Sequence, residues 1–359
     1  MIDTANQPEA KEPEAAHAHT ELVAPSQLSP GRRAFETVVR SREASILLVL
    51  VLVITAATIK SPSFLFSSNG WRDLLLTPSV LLLLAAGQCV VIITRNVDLS
   101  VGSVLGLTAY LTGRLFIDTG LPVPAVILVG VLAGALLGLV NGLLVGFGRV
   151  PALVITLGTL YIYRGVVLSW AGSDRINASD LPDSFGALGT RTILTIPVLF
   201  LVAMLVVVAV GYYLHTARGG RELYAIGSDP DAAVLYGLHV RRRVIAAFVL
   251  SGALAGLAGV VFAARYGSVS SSAGTGIELQ AVAAVVVGGV AIFGGSGTVC
   301  GAAIGAVLLV TINRVLPILG IPDFWQQALV GALILIAIAL DRLLSLRRER
   351  QLIEARDQA

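Results

Sequence analysis

The sequence predicts an all-α polytopic membrane protein of about ten transmembrane helices. Of its 359 residues, 56% are hydrophobic and only 13% are charged. The mean hydropathy is +0.86, which indicates more apolar surface than a soluble domain can bury. The apolar residues also form stretches of about 17 to 25, the length that a helix rising about 1.5 Å per residue needs to cross a bilayer.

Polar tails are predicted at both ends of the chain. Residues 1–43 mix Glu, Pro, Ala and His without apolar periodicity. No short apolar region with a small-residue cleavage site follows them, so we expect a disordered cytoplasmic tail and not a signal peptide. Residues 345–359 are expected to form a second cytoplasmic tail.

Ten apolar stretches lie between the tails. About six form the first half of the bundle, residues 44–215, and about four form the second half, residues 243–344, with the polar loop 216–243 between the halves. The eighth stretch, between Gly276 and Gly294, is expected either to span or to be re-entrant. The predicted spans are residues 44–60, 75–94, 99–117, 123–147, 151–171, 192–215, 243–264, 277–293, 297–316 and 324–343.

The distribution of basic residues predicts the orientation of these spans. With both termini in the cytoplasm, 17 of the 25 Lys and Arg residues lie on the cytoplasmic side, as the positive-inside rule requires. Ten spans divide into two sets of five, and an odd number per set predicts an inverted repeat. A trace of it is Asp98-Leu99 at the start of the third span and Glu278-Leu279 at the start of the eighth.

A short helix is predicted in the polar loop, at residues 229–237. Asp229 suits the N-cap, Pro230 the first helical position and Gly237 the left-handed stop. This helix is too short to cross a bilayer or to stand alone in water, so it needs a docking surface. Three basic residues follow it, Arg241, Arg242 and Arg243.

Glycine stripes recur at four-residue spacing in two spans. Such stripes let helix backbones approach closely, and we expect either plain close packing or a sliding surface for gating. The glycines are Gly130, Gly134, Gly138, Gly142 and Gly146 in the fourth span and Gly297, Gly301 and Gly305 in the ninth.

Polar residues in or beside the spans are candidates for lining a translocation path. For Asn141 the alternative is a bond to a neighbouring helix, for Arg164 an outward snorkelling side chain, and for Asp98 an ion pair with Arg95. For the Ser and Thr residues it is interhelical hydrogen bonding. The candidates are Asn96, Asp98, Ser100, Ser103, Thr108, Asn141, Thr156, Arg164, Glu278 and Gln280.

The residue types argue against several functional classes. The two lysines, Lys11 and Lys60, follow no glycine-rich phosphate loop, so any ATP hydrolysis must come from another chain. The four histidines give no metal spacing and no nucleophilic triad, so we expect no catalytic residue and no metal site. Nucleic-acid binding is not expected, because the basic residues are dispersed and lack interleaved aromatic residues.

Four segments together resemble the inner-membrane permease subunits of bacterial ABC importers for monosaccharides, of the ribose, xylose and rhamnose type. The resemblance covers roughly residues 45–345 and is greatest to the branch of rhamnose and autoinducer-2 permeases. The segments are ITRNVDLSVGSVLGLTAYLTG (93–113), VPALVITLGTLYIYRGVV (150–167), YAIGSDPDAAVLYGLHV (224–240) and GTGIELQAVAAVVVGGVAIFGGSGTVCGAAIGA (274–306).

This resemblance implies a multi-pass protein of the bacterial inner membrane that works with other subunits. It implies a second permease copy or paralogue, cytoplasmic ATPase subunits that bind ATP and Mg, and a periplasmic or lipid-anchored sugar-binding protein. No cofactor is implied for this chain itself. The family's coupling helix, which docks on the ATPase, carries a Glu-Ala-Ala-like sequence, and here Asp231-Ala232-Ala233 matches it with Asp in place of Glu.

Two other functions stay open. A branched-chain amino-acid ABC permease shares a similar DLS-G element, although the GTG-EL, GGSG and YRG elements favour sugars. A secondary transporter is less favoured, because a proton-driven carrier usually needs a buried carboxylate, and Asp98 and Glu278 lie at predicted span ends.

Overall fold

Helices make up almost all of the regular structure in the computed structural model, which describes residues 42–67, 69–148, 150–322, 324–336 and 339. All of these belong to one compact unit, residues 41–359. Almost all of the predicted N-terminal tail, and all of the C-terminal tail, lie outside the described residues.

The first half of the bundle contains nine α-helices, a short 3-10 helix at Ala178–Asp180 and a small hairpin within the described residues. The helices are α1 Arg42–Lys60, α2 Ser63–Phe66, α3 Gly70–Leu76, α4 Ser79–Ile93, α5 Val101–Thr119, α6 Val123–Gly148, α7 Ala152–Ala171, α8 Asp183–Thr190 and α9 Val198–Thr216. The strands β1 Thr192–Ile193 and β2 Ile196–Pro197 pair antiparallel between α8 and α9.

The cytoplasmic loop and the second half follow. The loop contains α10 Arg218–Ser228 and α11 Pro230–Leu235, and the second half contains α12 Val240–Tyr266, α13 Ile277–Val287 and α14 Val299–Ile318. A last apolar helix, α15, is Trp325–Ile336.

Seven helices among the described residues are long and apolar enough to cross a membrane, which confirms the all-α polytopic fold class. They are Glu43–Lys60, Gly70–Ile93, Val123–Gly148, Ala152–Ala171, Val198–Thr216, Val240–Tyr266 and Val299–Ile318. Three of the ten predicted spans are not among them, namely the third, the eighth and the tenth. The third predicted span corresponds to α5, which carries the ion pair Arg114–Asp118. The eighth corresponds to α13, and the tenth is described as a helix only from Trp325 to Ile336.

The prediction for the eighth span, residues 277–293, is wrong about its length. The helix ends at Val287 after 11 residues, about 16 Å at 1.5 Å per residue and so only half of a bilayer. Gly289, Gly294, Gly295 and Gly297 then have positive φ angles of 74° to 128°, which a continuing helix does not allow. From there to the start of α14 at Val299 the chain continues as a glycine-rich non-helical segment.

The predicted sixth span also begins too early. Residues 192–197 form the β1–β2 hairpin instead of helix, with Leu194 and Thr195 at φ 49° and 71° in its turn. Helix α9 starts only after Pro197, which fits the preference of proline for helix starts.

The most extensive contact between two helices of the described residues is that between α6 and α12. A Cβ atom at Gly134 would overlap the Gly252 carbonyl oxygen and lie 2.6 Å from the Gly256 Cα atom. At Gly138 it would lie 2.9 Å from the Gly252 Cα atom. The two backbones therefore touch where only glycine leaves room.

The other predicted glycines also lie at close approaches between segments. A Cβ atom at Gly130 would meet Val260, and Cβ atoms at Gly142 and Gly146 would meet Ile245. On α14, a Cβ atom at Gly301 would meet the Gly288 carbonyl, and one at Gly305 would meet Ala284. Gly297, just before α14, has φ 128° and packs against Val290.

Candidate functional site

Helix α11 is closed at both ends by local hydrogen bonds. Asp229 Oδ1 accepts hydrogen bonds from the backbone N–H groups of Asp231 and Ala232, each at 3.0 Å. At the other end, the Gly237 N–H donates to Val234 O at 2.9 Å and the Leu238 N–H to Ala233 O at 3.0 Å. With Gly237 at φ 78°, this is a Schellman motif, so the predicted caps and the proline start are present.

Within α11 only Ala233 is buried, and large apolar side chains at its C-terminal end are exposed. Ala233 is buried, whereas Val234, Leu235 and Tyr236 are 60%, 88% and 86% exposed. These three side chains are termed here the α11 apolar face. An exposed cluster of this kind on a rigid helix end is typical of an interaction surface.

Helix α10 attaches α11 to the bundle. Its buried side consists of Gly219, Gly220, Leu223, Ile226 and Gly227. The Tyr224 hydroxyl donates to Gly297 O at 2.9 Å, and burial raises the pKa of Tyr224 to about 12. Helix α10 is therefore linked directly to the non-helical segment that follows α13.

Arg95 joins the end of α10 to the turn after α4. Its Nε atom donates to Gly227 O at 2.6 Å and its Nη2 atom to Ser228 O, so the guanidinium satisfies carbonyl groups at the helix C-terminus. The Gly295 N–H donates to Ile93 O at 2.9 Å. Three segments thus meet here, and we term this meeting point the Arg95 junction.

The three predicted basic residues after α11 have different surroundings. The Arg243 Nε atom is 2.6 Å from Glu222, which also accepts from Arg218 at 2.9 Å. Arg243 and then Arg218 hold the pKa of the Glu222 carboxyl below its usual range. Arg241 lies 5.7 Å from the ring centroid of Phe147, and Arg242 is exposed at the rim of a cavity of about 410 Å³.

Asp98 lies in the interior of the bundle, so the expectation of an ion pair with Arg95 is wrong. The side chain is 1% exposed. Its Oδ1 atom accepts from the Ser100 N–H at 3.0 Å and the Ser100 hydroxyl at 2.7 Å, and Oδ2 accepts from the Ser251 hydroxyl at 3.3 Å. The carboxylate is thus partnered by hydroxyl groups, because the turn of residues 94–100 folds back into the bundle.

Asn141 extends this polar cluster to two more helices. Its Nδ2 atom donates to the Ser100 hydroxyl at 2.7 Å, and its Oδ1 atom accepts from the Tyr163 hydroxyl at 3.3 Å. Gln88, with its amide oriented to satisfy both groups, pairs with the Asp98 backbone at 3.1 and 3.2 Å. Five segments of the bundle therefore share one hydrogen-bonded cluster, which we term the Asp98 cluster.

Arg164 does not snorkel outward. Its Nη1 atom donates to Ala273 O at 2.6 Å, in the loop before α13. Glu278 lies at the start of α13, where its Oε1 atom accepts from the Gly276 N–H at 3.1 Å. Both side chains lie beside α5, because a Cβ atom at Gly102 would meet Glu278 and one at Gly106 would meet Arg164. The structure therefore places Arg164 and Glu278 at neighbouring turns of α5, outside the Asp98 cluster.

The remaining predicted path residues are dispersed. Ser103 and Thr108 donate to carbonyl groups of the Ser100–α5 segment itself, and Thr156 donates to Val97 O at 3.1 Å. Asn96 borders a cavity of about 280 Å³ beside the Arg95 junction. Gln280 borders another, of about 200 Å³.

Sequence reasoning missed four residues that hold these sites together. Arg95 was considered only as a partner of Asp98, and Gln88, Tyr163 and Ser251 were not singled out. Polar residues inside apolar spans are a usable signal for Gln88 and Tyr163. Ser251 gives little signal, because a hydroxyl within a glycine- and alanine-rich span usually bonds its own helix.

Comparisons with known proteins agree with this architecture. The family model described as "Branched-chain amino acid transport system / permease component" matches residues 72–338. The chain is similar to the Autoinducer 2 import system permease protein LsrC of Enterobacter sp. (strain 638), with 36% identity over 307 residues, 85% of this chain and 88% of that protein.

Two further proteins of the same name are similar. The one from Escherichia coli (strain K12 / DH10B) is 36% identical over 87% of this chain and 90% of its own length. The one from Yersinia pseudotuberculosis serotype O:1b (strain IP 31758) is 35% identical over 87% of this chain and 88% of its own length. No solved structure matches the chain significantly. The resemblance carried by the four sequence segments is confirmed.

Proposed function

The chain belongs to the family of permease components of branched-chain amino acid transport systems, and we propose that it is the translocation subunit of an ABC importer for a monosaccharide or a related small polyol. The substrate class is a rhamnose-type deoxysugar, ribose or xylose, or autoinducer 2, the molecule after which the relatives are named. In this proposal the chain contributes no catalytic residue. ATP and Mg are bound by a separate ATPase subunit.

The observation that carries this proposal is the α11 apolar face. The helix is capped at both ends, yet its large side chains Val234, Leu235 and Tyr236 contact little of this chain. Such an arrangement suits docking into a groove of a partner. We assign that groove to the ATPase, and the acidic residue Asp231 and the three basic residues Arg241, Arg242 and Arg243 to the rim of the interface.

A rigid connection leads from the α11 apolar face into the bundle. Helix α11 follows α10 directly, and α10 is held by Arg95 and, through its own Glu222, by Arg243 of α12. The turn that contains Arg95 continues to Asp98. Movement of the docked helix is thereby passed to the Asp98 cluster and to the glycine contacts between α6 and α12. Transport results when ATP binding and hydrolysis favour different arrangements of these contacts.

The remaining subunits follow from the same proposal. The chain works as a multi-pass protein of the bacterial inner membrane with both termini in the cytoplasm. It pairs with a second copy or a paralogue and receives substrate from a periplasmic or lipid-anchored binding protein. Because that protein supplies affinity, the path through the bundle needs only weak polar sites.

The proposal is tested by uptake measurements on variants of α11. Gly237→Val and Ala232→Glu are expected to abolish ATP-dependent uptake while the chain still inserts in the membrane. Gly120→Val is the matched control, since Gly120 also has a positive φ, 65°, and no neighbour within 4 Å, but lies at the end of α5. Normal uptake and normal ATPase stimulation in both α11 variants would contradict the docking assignment.

A second candidate is suggested by the description of the matching family. It names branched-chain amino acid transport, whereas the relatives named above are autoinducer 2 permeases. Uptake of radiolabelled L-rhamnose and L-leucine by the same vesicles separates the two. Saturable ATP-dependent uptake of leucine, without uptake of any sugar, would establish the amino-acid alternative.

A further inference from the structure

A cavity of about 200 Å³ lies at the end of the bundle opposite α11. It is enclosed by the first residues of α4 and α13 and the last turns of α12 and α14. Its polar lining residues come from four different segments of the chain, and they are Thr77, Arg265, Gln280, Asn313 and Arg314. Such convergence of polar groups around a small apolar-walled space is typical of a ligand site.

The two arginines of this cavity are held in place by the protein. Arg265 Nη1 donates to Thr77 O at 2.7 Å, and its guanidinium lies 4.7 Å from the ring centroid of Tyr266. Arg314 lies 5.1 Å from the ring centroid of Phe64. The positions of both guanidinium groups are therefore fixed by contacts within the protein.

Two buried polar atoms at this cavity have no hydrogen-bond partner among the described residues, Asn313 Oδ1 and Arg314 Nη1. Leaving such atoms unpaired is costly, because each has lost its hydrogen bonds to water without a replacement. One is an acceptor and the other a donor. A hydroxyl group both donates and accepts, so one ligand hydroxyl can satisfy both atoms, whereas a carboxylate only accepts and would leave Asn313 Oδ1 without a partner.

The walls of the cavity suit the apolar faces of a sugar ring. Phe262 and Tyr266 form an aromatic pair with ring centroids 4.5 Å apart, and Val80, Leu81 and Val310 complete the lining. The cavity is smaller than the pockets of about 300–1,000 Å³ that hold drug-sized ligands. It therefore suits one small molecule with several hydroxyl groups.

We propose that this cavity is a transient binding site for a neutral monosaccharide, or a polyol of the same size, on the side of the bundle where substrate enters. The inference rests on the proposed function, which it extends by naming a site and the groups that recognise hydroxyls. Asn313 and Arg314 bond one hydroxyl, Gln280 a second, and the aromatic pair packs against the ring.

The site is tested by ligand-induced thermal stabilisation of the full chain in nanodiscs. The probes are L-rhamnose and D-ribose as neutral sugars, D-glucuronate as a sugar with a carboxylate, and L-leucine. At least one neutral sugar is expected to raise the unfolding temperature saturably. Asn313→Ala and Gln280→Ala are each expected to raise the half-saturating sugar concentration at least tenfold. Asn177→Ala, which changes an exposed amide outside the cavity, should leave it unchanged.

Other outcomes overturn the inference. Equal sugar binding in wild type and both cavity variants would place the site elsewhere. Stabilisation by D-glucuronate or L-leucine alone, or by none of the probes, would refute the hydroxyl assignment. If one cavity variant fails to fold, the half-saturating sugar concentration of the other still tests the site. ATP-dependent uptake measured in parallel separates the two proposals: unchanged uptake in both variants refutes only the cavity, whereas wild type without sugar uptake refutes the proposed function.

Discussion

Replacing Gly134 by alanine is expected to destabilise the bundle at the contact between α6 and α12. The new methyl group would overlap the Gly252 carbonyl and lie 2.6 Å from the Gly256 Cα atom. Ordinary contacts start near 3.4 Å, so the two helices must separate by about 1 Å. Overpacking of this kind costs about 1–3 kcal/mol.

Gly158→Ala is the matched control for this prediction. Gly158 also lies inside a long apolar helix, α7, but a Cβ atom there has no neighbour within 4 Å. Alanine in place of glycine in a helix interior stabilises by about 0.5–1 kcal/mol, so the control should be as stable as wild type or slightly more stable.

The assay is unfolding of the purified protein in mixed micelles, followed by circular dichroism as denaturing detergent is added. Gly134→Ala should unfold at a lower detergent fraction than Gly158→Ala, with a difference of about 1–3 kcal/mol, because the gain from replacing a helical glycine is common to both variants. Equal stability of the two variants would show that α6 and α12 do not approach as closely as the glycine stripe requires.

Three further predictions concern the cytoplasmic end of the protein. Arg95→Ala should lower ATP-dependent uptake at least tenfold while the ATPase still co-purifies; uptake at the wild-type rate would contradict a role for the Arg95 junction. Asp229→Ala removes the two N-cap hydrogen bonds of α11 and should cost about 0.5–2 kcal/mol of local stability, measured by hydrogen exchange of residues 230–235. The folded-state pKa of Glu222 is lowered. The stabilisation of the folded state by its ionised carboxylate, paired with Arg243 and Arg218, is therefore present at neutral pH. It is lost as the pH falls through the usual Glu pKa of about 4.3 toward the lower folded-state pKa. Protease protection of α10 should therefore fall between about pH 5 and 3 in wild type but not in Glu222→Gln; identical pH profiles would refute this.

The features that the sequence predicts well depend on composition or on neighbouring residues. The fold class follows from the apolar content, and α11 follows from Asp229, Pro230 and Gly237, whose capping bonds join residues within five positions of each other. Such local bonds leave a direct pattern in the sequence.

The features that the sequence predicts poorly depend on distant contacts. Asp98 accepts a hydrogen bond from Ser251, 153 residues away, and Arg95 donates to carbonyl groups more than 130 residues away. Because Asp98 and Arg95 are close in sequence, the sequence suggests an ion pair between them that the fold does not form. The shortened α13 depends on the φ angles of glycines in an apolar stretch, and hydropathy alone does not distinguish these from helical glycines.

The central claim, that another chain supplies the energy for transport, is tested most directly by reconstitution. Vesicles containing the permease with its ATPase and binding protein should accumulate L-rhamnose or another neutral sugar only when ATP is supplied to the ATPase side. Vesicles containing the permease alone should show no concentrative uptake under a proton or sodium gradient. Gradient-driven accumulation by the permease alone would contradict the account and identify a secondary transporter.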